Sequence, residues 1–278
     1  MTYKSFFTVW DGRDESRVSF DLAVRLTARS GGHLDILCIA SDNAPNTFYG
    51  ADMAIEVLKR MAEEAREEAE ALKASARRLA EQEPIAYTIR AIPVRHDEVA
   101  AIVGREGRFH DLIVLPRPFG RDDEVTPEHA LDGALFETLA PVLVCPPAGA
   151  AGLGDRIMVA WNGDMEAMRA IRAALPLLKE AKAVEVVTVD PHRAADKGAE
   201  TGLALMTMLT RHGVRAVLSP IPLATERVSE TLRKKALDCG ADLIVMGAYG
   251  HSRFREKLLG GATREMLKDA DLPILMTH

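Results

Sequence analysis

The sequence predicts an α/β protein made of two tandem, open, doubly wound domains, each with a five-stranded parallel sheet. Three observations predict it: an ordered internal repeat, a regular alternation of short apolar runs with amphipathic helical patterns, and a Pro/Gly/Ala seam at mid-chain. Phe6-Phe7-Thr8-Val9-Trp10-Asp11-Gly12 returns as Ile157-Met158-Val159-Ala160-Trp161-Asn162-Gly163. Asp111-Leu112-Ile113-Val114-Leu115 returns as Asp242-Leu243-Ile244-Val245-Met246, and Ala140-Pro141-Val142-Leu143-Val144 as Leu272-Pro273-Ile274-Leu275-Met276. The matches keep their order, and both tryptophans of the chain fall at equivalent points. The seam, residues 146–154, is too rich in Pro, Gly and Ala to hold a regular element. The expected domains are therefore 1–147 and 154–278.

In the second copy, Arg156–Ala160 reads as a buried strand. Glu166–Lys179 places Met168, Ile171, Leu175 and Leu178 at three- and four-residue spacing, which is a helix face. Val184–Val189 is the second strand. Ala199–His212 is helical and stops at Gly213. Arg215–Leu218 is the third strand, Thr225–Cys239 a helix ended by Gly240, and Leu243–Met246 the fourth strand. Thr263–Ala270 is the last helix and Ile274–Met276 the fifth strand. Continuous apolar strands joined through helices imply a parallel sheet covered on both faces, with ligands beyond the carboxyl ends of the strands. The first copy follows the same plan, with one long Ala/Glu-rich helix over Met53–Glu81. Its stripe of Ile55, Leu58, Ala62, Ala65, Ala69, Leu72, Ala76 and Leu79 fits a core-packing face better than a dimerisation helix.

The chain has 278 residues, 47% hydrophobic and 27% charged, with a net charge of −6. This is a globular composition, and its sign argues against a nucleic-acid partner. No run approaches the length needed to cross a membrane and the N-terminus lacks a signal-peptide pattern, so the expected location is cytoplasmic. Cys38, Cys145 and Cys239 form no pair or metal motif, and buried packing is their expected role. No P-loop, nucleophile elbow or histidine pair at metal-binding spacing is present, so no catalytic residue and no metal ligand is nominated.

The chemistry concentrates in residues 246–264, between the fourth strand and the last helix of the second copy. Gly247 and Gly250 let the backbone turn close to a ligand. Gly260 and Gly261 offer bare N–H groups ahead of a helix, where amides and the macrodipole favour a phosphate. Thr263 supplies a hydroxyl for a cap or a phosphate oxygen. By spacing alone these residues serve turns and a cap equally well.

The pattern Gly247-x-x-Gly250, nine residues, then Gly260 resembles the glycine signature of ATP-binding universal stress proteins, and the resemblance spans the whole chain as two such domains. It implies an adenine nucleotide α-hydrolase-like, Rossmann-like fold. It also implies adenine nucleotide, ATP or AMP with Mg an option, bound by the second domain. Met246, Gly247, Gly250, Gly260, Gly261, Ala262 and Thr263 match the loop. Asn162 takes the place of an aspartate that meets the nucleoside, and Val189 matches a position whose backbone reads adenine. Gly261 stands where the family has Ser or Thr. In the first copy Pro116 and Phe119 replace the motif glycines and Asp122-Asp123-Glu124 follow, so that copy is expected to be nucleotide-free. The implied role is stress-response sensing or regulation rather than catalysis, with slow ATP hydrolysis left open. The domains would pair within the chain, with a homo-oligomer left open. The alternative is a nucleotide-free interaction module of the same fold.

Overall fold

The computed structural model describes residues 3–41, 51–119, 125–150, 152–189, 197–225, 227–248, 261–269 and 271–278. The described chain forms two compact units. The first comprises Thr2–Pro116 and Arg121–Ala140; the second comprises Arg117–Gly120 and Pro141–His278.

The first unit contains β1 (Ser5–Trp10), α1 (Asp14–Ser30), β2 (His33–Ser41), α2 (Ala51–Ala80), β3 (Ala86–Val94), α3 (Val99–Gly107), β4 (Leu112–Pro116) and α4 (Val125–Phe136). Its strands are parallel in the order β3-β2-β1-β4. β1 and β4 are apolar and buried nearly throughout, as expected of strands covered on both faces. α1 starts with Asp14 and Glu15 and ends in a left-handed Gly31, whose N–H donates to the Ala28 carbonyl. Acid at the start complements the dipole, and glycine adopts φ 57° without a Cβ penalty. α2 packs on β2 and β3. Ala65, Ala69, Ala76 and Ala80 are buried along it, so from Ala65 onward its stripe is a core face.

The second unit contains β5 (Val142–Cys145), β6 (Arg156–Ala160), α5 (Met165–Glu180), β7 (Ala183–Val189), α6 (Lys197–Arg211), β8 (Ala216–Ile221), α7 (Val228–Asp238), β9 (Leu243–Gly247), α8 (Gly261–Asp269) and β10 (Ile274–Thr277). Five strands run parallel in the order β10-β9-β6-β7-β8. A sixth, β5, adds antiparallel to β10, pairing Ile274 with Val144, Leu275 with Leu143 and Met276 with Val142. The repeat makes β5 the fifth strand of the first copy, yet it lies in the second unit. Both β5 and β10 are fully buried apolar strands, so each needs a neighbour on its hydrogen-bonding edge.

The repeated aspartates explain themselves. Asp111 Oδ2 accepts the Lys4 N–H at 2.7 Å and the Ser5 N–H at 3.1 Å. Asp242 accepts the N–H groups of Gly154, Asp155 and Arg156 at 2.9–3.1 Å. Each carboxylate satisfies amides at the start of its unit's first strand and so sets that strand beside the fourth. Cys38 and Cys145 are buried, as expected. Burial pushes the Cys38 thiol up to about 12, which keeps it unreactive near neutral pH.

Glu185 ties β7, β8 and α7 together. It accepts from Ser219 Oγ and lies 2.6 Å from Lys235 Nζ. Partial burial pushes its carboxyl upward, but the bonds from Lys235 and Ser219 and the Lys235 charge outweigh that, and the group sits below the usual glutamate range. A folded value below the unfolded one means stability that is present above about pH 4.3 and lost as pH falls below it. Glu185→Gln should cost about 1 kcal/mol at pH 7 and flatten the acid limb of a urea-denaturation series below pH 5. An unchanged acid limb would contradict this.

Candidate functional site

Register places the carboxyl ends of β6, β7 and β9 at one edge of the second unit. Met158 pairs with Ile244 and Val159 with Val245, so Ala160 comes opposite Met246 and Trp161 opposite Gly247. On the other side Ala160 pairs with Val187, and the Trp161 N–H donates to the Val187 carbonyl at 2.9 Å. Continuing that register sets Asn162 level with Val189. Four of the expected residues, Asn162, Val189, Met246 and Gly247, are thus gathered at the strand ends. Gly261, Ala262 and Thr263 form the first turn of α8. Gly250 and Gly260 lie outside the described residues, as does His251.

Two of these residues also have structural roles. Gly247 serves close packing: a Cβ there would lie 2.5 Å from the Ala167 nitrogen and 2.7 Å from the Glu166 carbonyl carbon, in the first turn of α5. Thr277 Oγ1 reinforces that junction by donating to the Glu166 carbonyl at 3.3 Å. The glycine is thus required by a helix, whatever a ligand requires. Asn162 is exposed, but its amide is engaged. Its Oδ1 accepts the Asp164 N–H at 3.1 Å and its Nδ2 donates to Asp164 Oδ2 at 2.8 Å, an Asx turn that opens α5.

Gly261 contrasts with Gly247. A Cβ added to it meets no atom of the described residues within 4 Å, so among them this first residue of α8 faces open space. Thr263 is buried. Arg264 stacks on Phe119, its guanidinium carbon 5.5 Å from the ring centroid. Phe119 comes from the first copy's counterpart of the glycine loop, and it belongs to the second unit. In the sequence it registers only as a lost motif glycine; its ring contact with the cation at the start of α8 has no sequence signal.

At the equivalent place in the first unit, described side chains approach the strand end. Asp11 Oδ1 accepts the Arg13 N–H at 3.1 Å, and its carboxylate also lies 3.8 Å from Arg13 Nε. A Cβ at Gly12 would fall 2.8 Å from Leu72 Cδ2, so α2 already crowds this strand end. Trp10 Nε1 donates to Ser75 Oγ on the same helix at 2.9 Å. A cavity of about 280 Å3 does exist in this unit, lined by Phe7, Asp35, Arg90, Glu106 and His110 among others. Its charges are paired off, Asp35 with His110 at 2.9 Å and Arg90 with Glu106. Among the described residues no group of three His, Cys, Asp or Glu could hold a metal ion, and no helix is long and apolar enough to cross a membrane.

The close junction at Gly247 is directly testable. Gly247→Ala should destabilise the protein by about 1–3 kcal/mol through overpacking against backbone that cannot swing aside. Thermal unfolding checks this, and an unchanged midpoint would refute the packing role.

Comparison with known proteins bears on the whole chain. Residues 154–278 match the model of the universal stress protein family. A universal stress protein of Synechocystis sp. is 23% identical, with 98% of this chain and 99% of that protein covered. Among solved structures, a universal stress protein from Archaeoglobus fulgidus aligns with a TM-score of 0.66 at 16% identity, covering 98% of this chain and 95% of that one. A protein of unknown function from Pseudomonas aeruginosa aligns with a TM-score of 0.58 at 16% identity, covering 99% and 92%. At these identities the structures speak for the fold: an α/β fold with a mostly parallel sheet, carried over the full length. The chain is thus similar over its full length to universal stress proteins, and its residues 154–278 match that family's model.

Proposed function

We propose that this chain is a tandem universal stress protein that binds one adenine nucleotide, ATP or AMP, in its second unit and acts as a sensor or regulator rather than as a catalyst. One observation carries the proposal: Asn162, Val189 and Met246 meet at the strand ends of the unit whose α8 opens at Gly261 onto free space. This is where a doubly wound sheet takes a ligand, and a helix start takes a phosphate. The glycine pattern from Gly247 through Gly250 to Gly260 adds to it from the sequence. Thr263 and the amides of Gly261 and Ala262 would meet the phosphates, Asn162 the ribose and the Val189 backbone the base. A divalent cation such as Mg would ride on the nucleotide's own phosphates, since the described residues offer no cluster to hold it. The first unit stays nucleotide-free in this reading, because Leu72, Arg13 and Ser75 already occupy its strand end. Regulation by an occupied or empty pocket suits a cytoplasmic protein.

The engagement of Asn162 with Asp164 favours a second reading, a nucleotide-free interaction module, because the amide would have to leave its Asx turn to reach a ribose.

Gly261→Asp separates the two readings. The site has room for the side chain, and an acid in the first helical turn is neutral or slightly stabilising for α8. The fold should therefore survive, while the carboxylate repels phosphate. In calorimetric titration with ATP, the parent protein should bind and the variant should lose at least about tenfold in affinity, equivalent to about 1.4 kcal/mol. A parent protein that ignores millimolar ATP supports the interaction module; equal affinities displace the site from α8.

A further inference from the structure

The two tryptophans occupy the same place in the repeat but not the same state. Trp10 is buried, packs edge-on against Phe20 at 5.5 Å, and its indole N–H is satisfied by Ser75 of α2. Trp161 is 8% exposed, yet its Nε1 is buried and has no hydrogen-bond partner among the described residues. The cause is visible in the helix that follows the second strand of each copy. α2 supplies Ser75, whereas α6 has no serine, and two of its three threonines, Thr207 and Thr210, turn their hydroxyls back onto the carbonyls of Leu203 and Met206. Burying an indole N–H with nothing to accept it is unfavourable, and such a group is rare in a native protein without a partner that arrives from outside the chain.

The position of this donor decides what the partner is. Trp161 directly precedes Asn162, at the carboxyl end of β6, level with Gly247 on one side and Thr188 on the other. The first copy, whose strand end is filled by its own side chains, satisfies its tryptophan internally. The second copy, whose strand end carries the candidate site, does not.

We propose that the Trp161 indole N–H is a ligand-recognition group of the second unit, donating one hydrogen bond to an oxygen or ring nitrogen of the bound nucleotide. This rests on the reading of that unit as a nucleotide site and adds a named specificity residue to it. The acceptor is a neutral or anionic atom, because an indole N–H only donates. The same donor would discriminate against a ligand of equal shape that lacks an acceptor there, since the N–H would remain unmet.

Three proteins test it, with ATP as the probe. Trp161→Phe keeps an aromatic ring and removes the donor. Its affinity for ATP should fall about five- to twentyfold, and its thermal midpoint without ATP should match or exceed the parent's, because an unmet donor has been removed. Trp10→Phe should lower the thermal midpoint by losing the bond to Ser75 and leave ATP affinity within about twofold. It also leaves Trp161 as the sole tryptophan of the chain, so its fluorescence should change saturably with ATP. A Trp161→Phe protein that binds ATP as the parent does overturns the inference and leaves the nucleotide site standing. A Trp161→Phe protein that loses stability with affinity unchanged assigns Trp161 to packing and likewise overturns it. A parent protein that binds no ATP removes the nucleotide reading and this inference together.

Discussion

The antiparallel pairing of Val142–Cys145 with Ile274–Thr277 is the constraint on which the second unit depends. β10 is the outermost of five parallel strands, and it is fully buried and apolar. Left as a free edge it would present unpaired amides and carbonyls on an apolar ribbon. β5 covers that edge. β10 in turn holds β9 in parallel register, Met276 with Met246 and Thr277 with Gly247, and so fixes where β9 ends. From that end the backbone touches α5 at Gly247, and Thr277 bonds the same turn. The start of α5 then carries the Asx turn of Asn162. A chain of contacts thus runs from a strand contributed by the first copy to the groups at the candidate site.

Duplication followed by divergence explains the asymmetry between the units in physical terms. Both retain an aspartate that clamps the first strand, a tryptophan at that strand's end and a glycine two residues on, Gly12 with φ 82° and Gly163 with φ 86°. They differ in what meets the strand end. In the first unit Leu72 and Ser75 of α2 close on it. In the second, α6 brings no serine to the indole, and α8 opens at a glycine with free space around it. The lost glycine loop of the first copy has acquired another use, since its Phe119 supports Arg264 at the start of α8.

Much of this was legible in the residues. Helices with three- and four-residue apolar spacing stand close to their expected bounds: α5 at Met165–Glu180 and α2 at Ala51–Ala80. α7 begins at Val228 rather than Thr225 because the Thr225 hydroxyl is spent on a turn with the Arg227 backbone. β8 runs through Pro220 to Ile221 because it is an edge strand, where a missing N–H faces no neighbour. The antiparallel pairing of β5 with β10 was not legible, because a repeat reveals which strands exist but not what lies along each one's outer edge. The packing role of Gly247 was not legible because the approach of α5 to β9 is a tertiary contact without a local pattern. Trp161 served in the sequence only as a repeat marker, since whether an indole is satisfied depends on a helix forty residues away.

The central claim is a division of labour, with one copy holding a nucleotide and the other filled by its own side chains. Native mass spectrometry of the purified full-length chain after incubation with ATP tests it most directly. A single added nucleotide per chain is expected at saturation. Two per chain would show that the first unit's strand end is open after all, and none at millimolar ATP would contradict the assignment of the second.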